Sequence, residues 1–256
     1  MSNTGTVTSA YETLVEQLAE MRPPIEDLDN DLFPCGGPKP KTLVEISGYP
    51  NTGKTLLLSH IMARCLPPTY FGGKYSDIVF VNMGHKFAIP RFREYIKRII
   101  IESKEKCTPD ECEAVLESCL ESVTVFDCFS SNEFELFFNV VEDFLLKNRY
   151  INLIAIDDID AFYWEDTHNK LVRMSTHLSR TITRLRKLCE NYGICCVYTV
   201  NSNYLQCKNK NYNPSVYLKK KTEYVFELKL FPDGSRKLNK KAITISSSGI
   251  HFLNEI

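Results

Sequence analysis

The chain of 256 residues contains no run of eighteen apolar side chains, so no membrane-spanning helix is predicted. Residues 1–10 lack both the basic start and the apolar stretch of a secretory signal, which points to an intracellular chain. Ten cysteines are present, but none is paired at C-x-x-C spacing. Without two clustered ligand pairs a structural zinc site has no ligands, and a non-secreted chain gives little reason for disulfides. The cysteines are therefore expected to be buried free thiols, as Cys195 and Cys196 are inside an apolar strand-like run. Charge of neither sign dominates: 31 basic residues face 32 acidic ones, a formal charge of −1, so any nucleic-acid footprint must be local. Internal repeats and low-complexity tracts are also missing.

What remains is the composition of an ordinary soluble globular protein, with 43% hydrophobic and 25% charged residues. The length suits one large α/β domain or two small ones. Ser9 and Glu12 have capping-box spacing, and Tyr11, Leu14, Val15 and Leu18 follow at helical intervals, predicting a helix over 10–21. Five prolines with Gly36 and Gly37 make 22–41 read as an extended linker over the surface. We therefore divide the chain into an N-terminal helix and linker, 1–41, and a core, 42–256. In the core, strands over 43–47, 78–82, 122–127, 151–157 and 194–200 alternate with helices over 54–65, 90–103, 133–147 and 170–191. Such alternation implies right-handed crossovers and a mostly parallel central sheet flanked by helices. At the end, 223–231 and 241–246 read as an antiparallel hairpin turning at Pro232-Asp233-Gly234, with a last strand over 250–253.

Gly48-Tyr49-Pro50-Asn51-Thr52-Gly53-Lys54-Thr55 fits the phosphate-loop pattern G-x-x-x-x-G-K-[ST] and lies between a strand and a helix. Gly48 and Gly53 allow the tight turn that aims backbone N–H groups at phosphate oxygens, and the helix start adds a positive dipole end. Lys54 would reach the β- and γ-phosphates of ATP, and the Thr55 hydroxyl would ligate Mg2+. The buried strand 151–157 ends in Asp157, which would face the same crevice and hold the magnesium through water. Asp158 and Asp160 follow; Asp160 is expected at a solvated strand end.

With this order of elements, the stretches Ala63-Arg64-Cys65-Leu66-Pro67 and Asp157-Asp158-Ile159-Asp160-Ala161-Phe162-Tyr163-Trp164 resemble the eukaryotic RecA-like recombinase paralogues. The resemblance covers about residues 42–254 in element order and implies a RecA-like P-loop ATPase core. It implies a nuclear protein of homologous recombination and double-strand break repair, in a hetero-oligomer with other paralogue subunits that assists the recombinase filament on single-stranded DNA. About forty residues before the core leave no room for the N-terminal helical DNA-binding domain of many members. The family's glutamate just past the second core strand falls on Gly84, and its sensor glutamine on Asn201. A glycine has no group to activate or align water, so ATP binding with weak or absent hydrolysis is expected. Asp158 is the alternative base. The linker also lacks the Phe-x-x-Ala with which recombinases polymerise, which favours a terminal place in a heteromer.

The resemblance puts two DNA-facing loops at 163–170 and 202–221. The second carries Lys208, Lys210, Lys219, Lys220 and Lys221 with Tyr204, Tyr212 and Tyr217 among them, and no acidic residue between Glu190 and Glu223. Cations beside aromatics suit single-stranded DNA; the plainer reading is a solvated loop. In the first loop, Glu165 and Asp166 would repel phosphate. Two readings stay open beside the leading one, an active DNA-stimulated ATPase and a structural subunit with a vestigial nucleotide site. A small-molecule P-loop kinase fits less well, since no arginine-bearing lid or acceptor pocket can be identified and the terminal antiparallel strands suit a RecA-like core better.

Overall fold

The computed structural model describes residues 9–20, 22–26, 28–33, 36–103, 107–163, 174–202, 222–246 and 249–253, leaving the Leu18 side chain aside. In chain order these form α1 (Ala10–Glu20), β1 (Leu43–Gly48), α2 (Lys54–Cys65), β2 (Asp77–Asn82), α3 (Ile89–Glu102), α4 (Pro109–Glu121) and β3 (Val123–Asp127). They continue with α5 (Ser131–Lys147), β4 (Ile151–Asp157), α6 (Met174–Tyr192), β5 (Cys195–Asn201), β6 (Tyr224–Leu230), β7 (Arg236–Leu238), β8 (Lys241–Ser246) and β9 (Gly249–Phe252). The strands make one sheet in the order β3-β2-β4-β5-β1-β6-β7-β8-β9. Pairing is parallel from β3 to β6 and antiparallel from β6 to β9. Among the described residues no helix is long and apolar enough to cross a membrane.

The apolar runs of β1 and β4 follow from their position: every residue of both strands is buried, because helices cover both faces of a parallel sheet. One face carries Val44, Ile46, Phe80 and Leu153 against α2 and α3; the other carries Leu43, Val79, Ile154 and Ile156 against α5 and α6. Register then aligns the carboxyl ends of the strands, with Asn82 opposite Asp157 and Gly48 opposite Asn201.

Four features depart from the sequence reading. Residues 22–41 do not lie over the surface, because Ile25, Leu28, Leu32 and Phe33 are buried in the cluster around α2. A helix that periodicity did not announce, α4, starts at a complete capping box between Thr108 and Glu111 with Pro109 in its first turn. The C-terminal hairpin is a meander, since β7 lies between β6 and β8. Cys107 and Cys112 are joined as a disulfide, against the expectation of free thiols, whereas Cys65, Cys119, Cys128, Cys189, Cys195 and Cys196 are free and buried.

The predicted α1 forms, with Ser9 Oγ accepting from Glu12 N at 3.1 Å and the Glu12 carboxylate accepting from Ser9 N at 2.7 Å. Alone it would be marginal. It docks on α6, where Val15 is buried and the Tyr11 and Tyr192 hydroxyls stand 3.1 Å apart.

Candidate functional site

β1 delivers the phosphate loop at its carboxyl end, and α2 leaves from it. Gly53, the residue before α2, has φ +107°, which side chains rarely adopt. A Cβ on Gly48 would meet Thr52 Oγ1 at 2.6 Å and the Leu228 carbonyl at 2.8 Å, so β6 closes in on the loop there. Thr52 is buried and donates from its hydroxyl to the Tyr49 carbonyl at 2.8 Å, which fixes the turn; Tyr49 itself is exposed. Asn51 also takes a positive φ, 65°, and Pro50 completes the turn. The Lys54 ammonium folds back on the carbonyls of Gly48 and Tyr49, at 3.2 and 3.3 Å. Burial lowers this amine from the usual 10.5, with Asp158 and Asp160 opposing.

Opposite stands the end of β4. The Thr55 hydroxyl is 3.0 and 2.9 Å from the two Asp157 carboxylate oxygens. A second hydroxyl, Thr199 at the end of β5, donates to Asp157 Oδ1 at 2.8 Å and accepts from Asp158 N at 2.7 Å. Burial raises the Asp157 carboxyl, while the bonds from Thr199 and Thr55 pull it down. A hydroxyl beside a carboxylate is a hard oxygen pair of the kind Mg2+ takes, with water and phosphate oxygens completing the shell. Among the described residues no group of three or more His, Cys, Asp or Glu side chains converges for a metal.

Asp160 differs from its expected place. It is buried rather than solvated, accepts from Asn201 N at 3.2 Å, and has its carboxyl pushed up to about 7 by burial and then by Asp158. Gly84 does border the acidic end of β4: a Cβ there would sit 3.1 Å from Asp158 Cβ and 3.3 Å from Asp157 Oδ2. Asp158, the alternative base, is held by the Lys86 ammonium at 3.2 Å. Thr199 and Lys86 were missed from the sequence; a polar residue near the carboxyl end of a core strand was the signal available for Thr199.

The structure thus brings together Gly48 to Thr55 with Asp157. Lys208, Lys210, Tyr212, Tyr217, Lys219, Lys220 and Lys221 lie outside the described residues, as does the first loop beyond Tyr163. A separate cavity of about 520 Å³ between α1 and α6, lined by Glu12, Glu16, Glu142 and Glu190, shares no residue with the phosphate loop.

A phosphate loop at the head of a parallel sheet, faced by a carboxylate from β4 and followed by antiparallel strands, defines a RecA-like P-loop protein. The chain belongs to the Rad51 family, which matches residues 17–212. It is similar to the mouse (Mus musculus) DNA repair protein XRCC2, with 26% identity over 190 residues, covering 69% of this chain and 66% of that protein. The match thus spans just under two thirds of that relative's length.

Proposed function

We propose that this chain is an ATP-binding recombinase paralogue that holds Mg2+ and ATP and hydrolyses ATP slowly or not at all. It acts in the nucleus, within a hetero-oligomer of paralogue subunits that assists the recombinase filament on single-stranded DNA in recombination and break repair. Residues 42–256 serve as the ATPase core in this reading, and the described residues of 1–41 pack against it. Membership of the Rad51 family and the likeness to a DNA repair protein support the role.

The observation that carries the nucleotide assignment is the meeting of Thr55 with Asp157, about one hundred positions apart in sequence, directly behind a phosphate loop. In the proposed site, the loop N–H groups and Lys54 bind phosphate oxygens, and Thr55 with Asp157 holds the cation. The bound magnesium would neutralise phosphate charge. Gly84 offers no side chain to align water, which supports holding over hydrolysis.

Assembly has a candidate surface. β3 is an edge of the sheet, and Val125, Phe129, Leu136 and Val140 on β3, α5 and the loop between them are exposed apolar side chains. An exposed apolar edge of this kind calls for a cover. Pull-down of the chain from cells, with mass spectrometry of the captured proteins, tests the reading. Recovery of paralogue subunits is expected, and lost when Val125 and Phe129 become Asp; recovery of no recombination protein would contradict it.

A further inference from the structure

We infer that Lys86 is a second phosphate-directed cation of the nucleotide site and makes it select a nucleoside triphosphate over a diphosphate. This rests on the nucleotide-binding reading above and goes beyond it.

The loop after β2 carries Gly84, His85 and Lys86 past the carboxyl end of β4. It is pinned on one side: His85 N donates to Asn82 Oδ1 at 3.1 Å, and the ring Nε2 donates to the Cys128 carbonyl at 3.0 Å. The same ring stacks on Phe129 with centroids 4.3 Å apart. His85 takes a φ of 50°, so the chain bends sharply before Lys86. Lys86 leaves the bend toward the crevice, where its ammonium is 3.2 Å from Asp158 Oδ2. It is also close enough to Lys54 and Asp157 to act on the charge of both.

Three carboxylates, Asp157, Asp158 and Asp160, crowd this end of the crevice. A fourth at position 84 would add repulsion toward a triphosphate. The loop supplies no side chain there and an ammonium two residues later. The Lys86 side chain is 69% exposed, so its pair with Asp158 is of the weakly stabilising, surface kind. Exchanging that partner for a phosphate oxygen costs little and gives a stronger, charge-assisted contact. Lys54 folds onto the opposite wall, over the Gly48 and Tyr49 carbonyls, so the two amines approach the phosphates from different sides. The amine from the β2 loop comes from the side on which a water-activating carboxylate would stand. It therefore serves the terminal phosphate, which a diphosphate lacks.

The test is the affinity of the full chain for Mg-ATP and Mg-ADP, measured by calorimetry, in wild type, Lys86→Ala and Lys86→Arg. Lys86 is exposed, so neither variant disturbs the core. Lys86→Ala is expected to weaken ATP binding about five- to tenfold and ADP binding less than about twofold. Lys86→Arg should keep the preference for ATP. Equal losses for both nucleotides, or none, would overturn the inference while leaving the nucleotide site standing. A wild-type chain that binds neither nucleotide would overturn both.

Discussion

The Thr55 hydroxyl and the Asp157 carboxylate, from α2 and β4, are in contact at 2.9 and 3.0 Å, with the Thr199 hydroxyl on the same carboxylate at 2.8 Å. Burial disfavours the ionised carboxylate there, and a divalent cation would reverse that preference. Asp157→Asn is therefore expected to lose the magnesium-dependent part of ATP affinity. With a chelator present, variant and wild type should bind equally. Calorimetry with and without magnesium decides; an unchanged magnesium dependence contradicts the assignment.

Lys54 has its amine on loop carbonyls, where phosphate oxygens would replace them. A charged hydrogen bond of this type is worth about 1.5–3 kcal/mol, so Lys54→Ala should reduce ATP affinity roughly ten- to a hundredfold. Equal dissociation constants for the variant and wild type would show that the loop does not hold the phosphates.

Asp160 gives the fold a pH dependence of definite sign. Its carboxyl titrates at about 7 in the folded chain against 3.8 ordinarily, so the folded state binds the proton more tightly. Its contribution is complete below about 4 and is lost as pH rises to about 7, at most about 4 kcal/mol. Asp157 acts in the same direction. Asp160→Asn should raise stability relative to wild type, by more at pH 8 than at pH 5. Urea denaturation of variant and wild type without magnesium or nucleotide measures it, and a gain from Asp160→Asn that is no larger at pH 8 than at pH 5 would contradict the sign.

The segment before β1 is expected to be part of the core energetically. Phe33 is fully buried and edge-on to Tyr224 and Phe226, with centroids 5.2 and 5.3 Å away. Phe33→Ala should cost about 3–5 kcal/mol. Removing residues 1–41 should then expose apolar surface and cause aggregation, as light scattering would report. A soluble truncated chain with unchanged denaturation would refute this.

These results also show which features local sequence encodes. The phosphate loop is legible because every constraint on it is local: two glycines, a lysine and a threonine at fixed spacing. The strand ending in Asp157 is legible because a strand covered on both faces must be apolar throughout. Thr199 is not, since its meaning comes from β5 lying beside β4. The prolines of 22–41 obscured the burial of Leu28 and Phe33, because proline marks how a chain turns and not what its neighbours cover. The start of α4 was written in Thr108-Pro109-Asp110-Glu111, a capping box with proline in the first turn, although its apolar face is narrow. The buried state of Asp160 depends on the packing of Asn201 and has no local signature.

The lysine-rich stretch 202–221, of which only residue 202 is described, is open to a direct test. Replacing Lys219, Lys220 and Lys221 by Ala should flatten the log–log salt dependence of single-stranded DNA binding by up to about 2. Tyr212→Ala or Tyr217→Ala should lower affinity and leave the slope nearly unchanged. Fluorescence anisotropy on the chain, alone and with the paralogue subunits that the proposed function gives it, reads both, and an unchanged triple variant would make the stretch a solvated surface.

The central claim, a site that holds ATP and does little to it, is tested most directly by measuring phosphate release on a sample whose ATP occupancy is known. Occupied sites with turnover far below about one per second, with or without single-stranded DNA, are the predicted result. Turnover near one per second that Lys54→Ala abolishes would contradict it, and would mean that some group other than a side chain at position 84 activates the water.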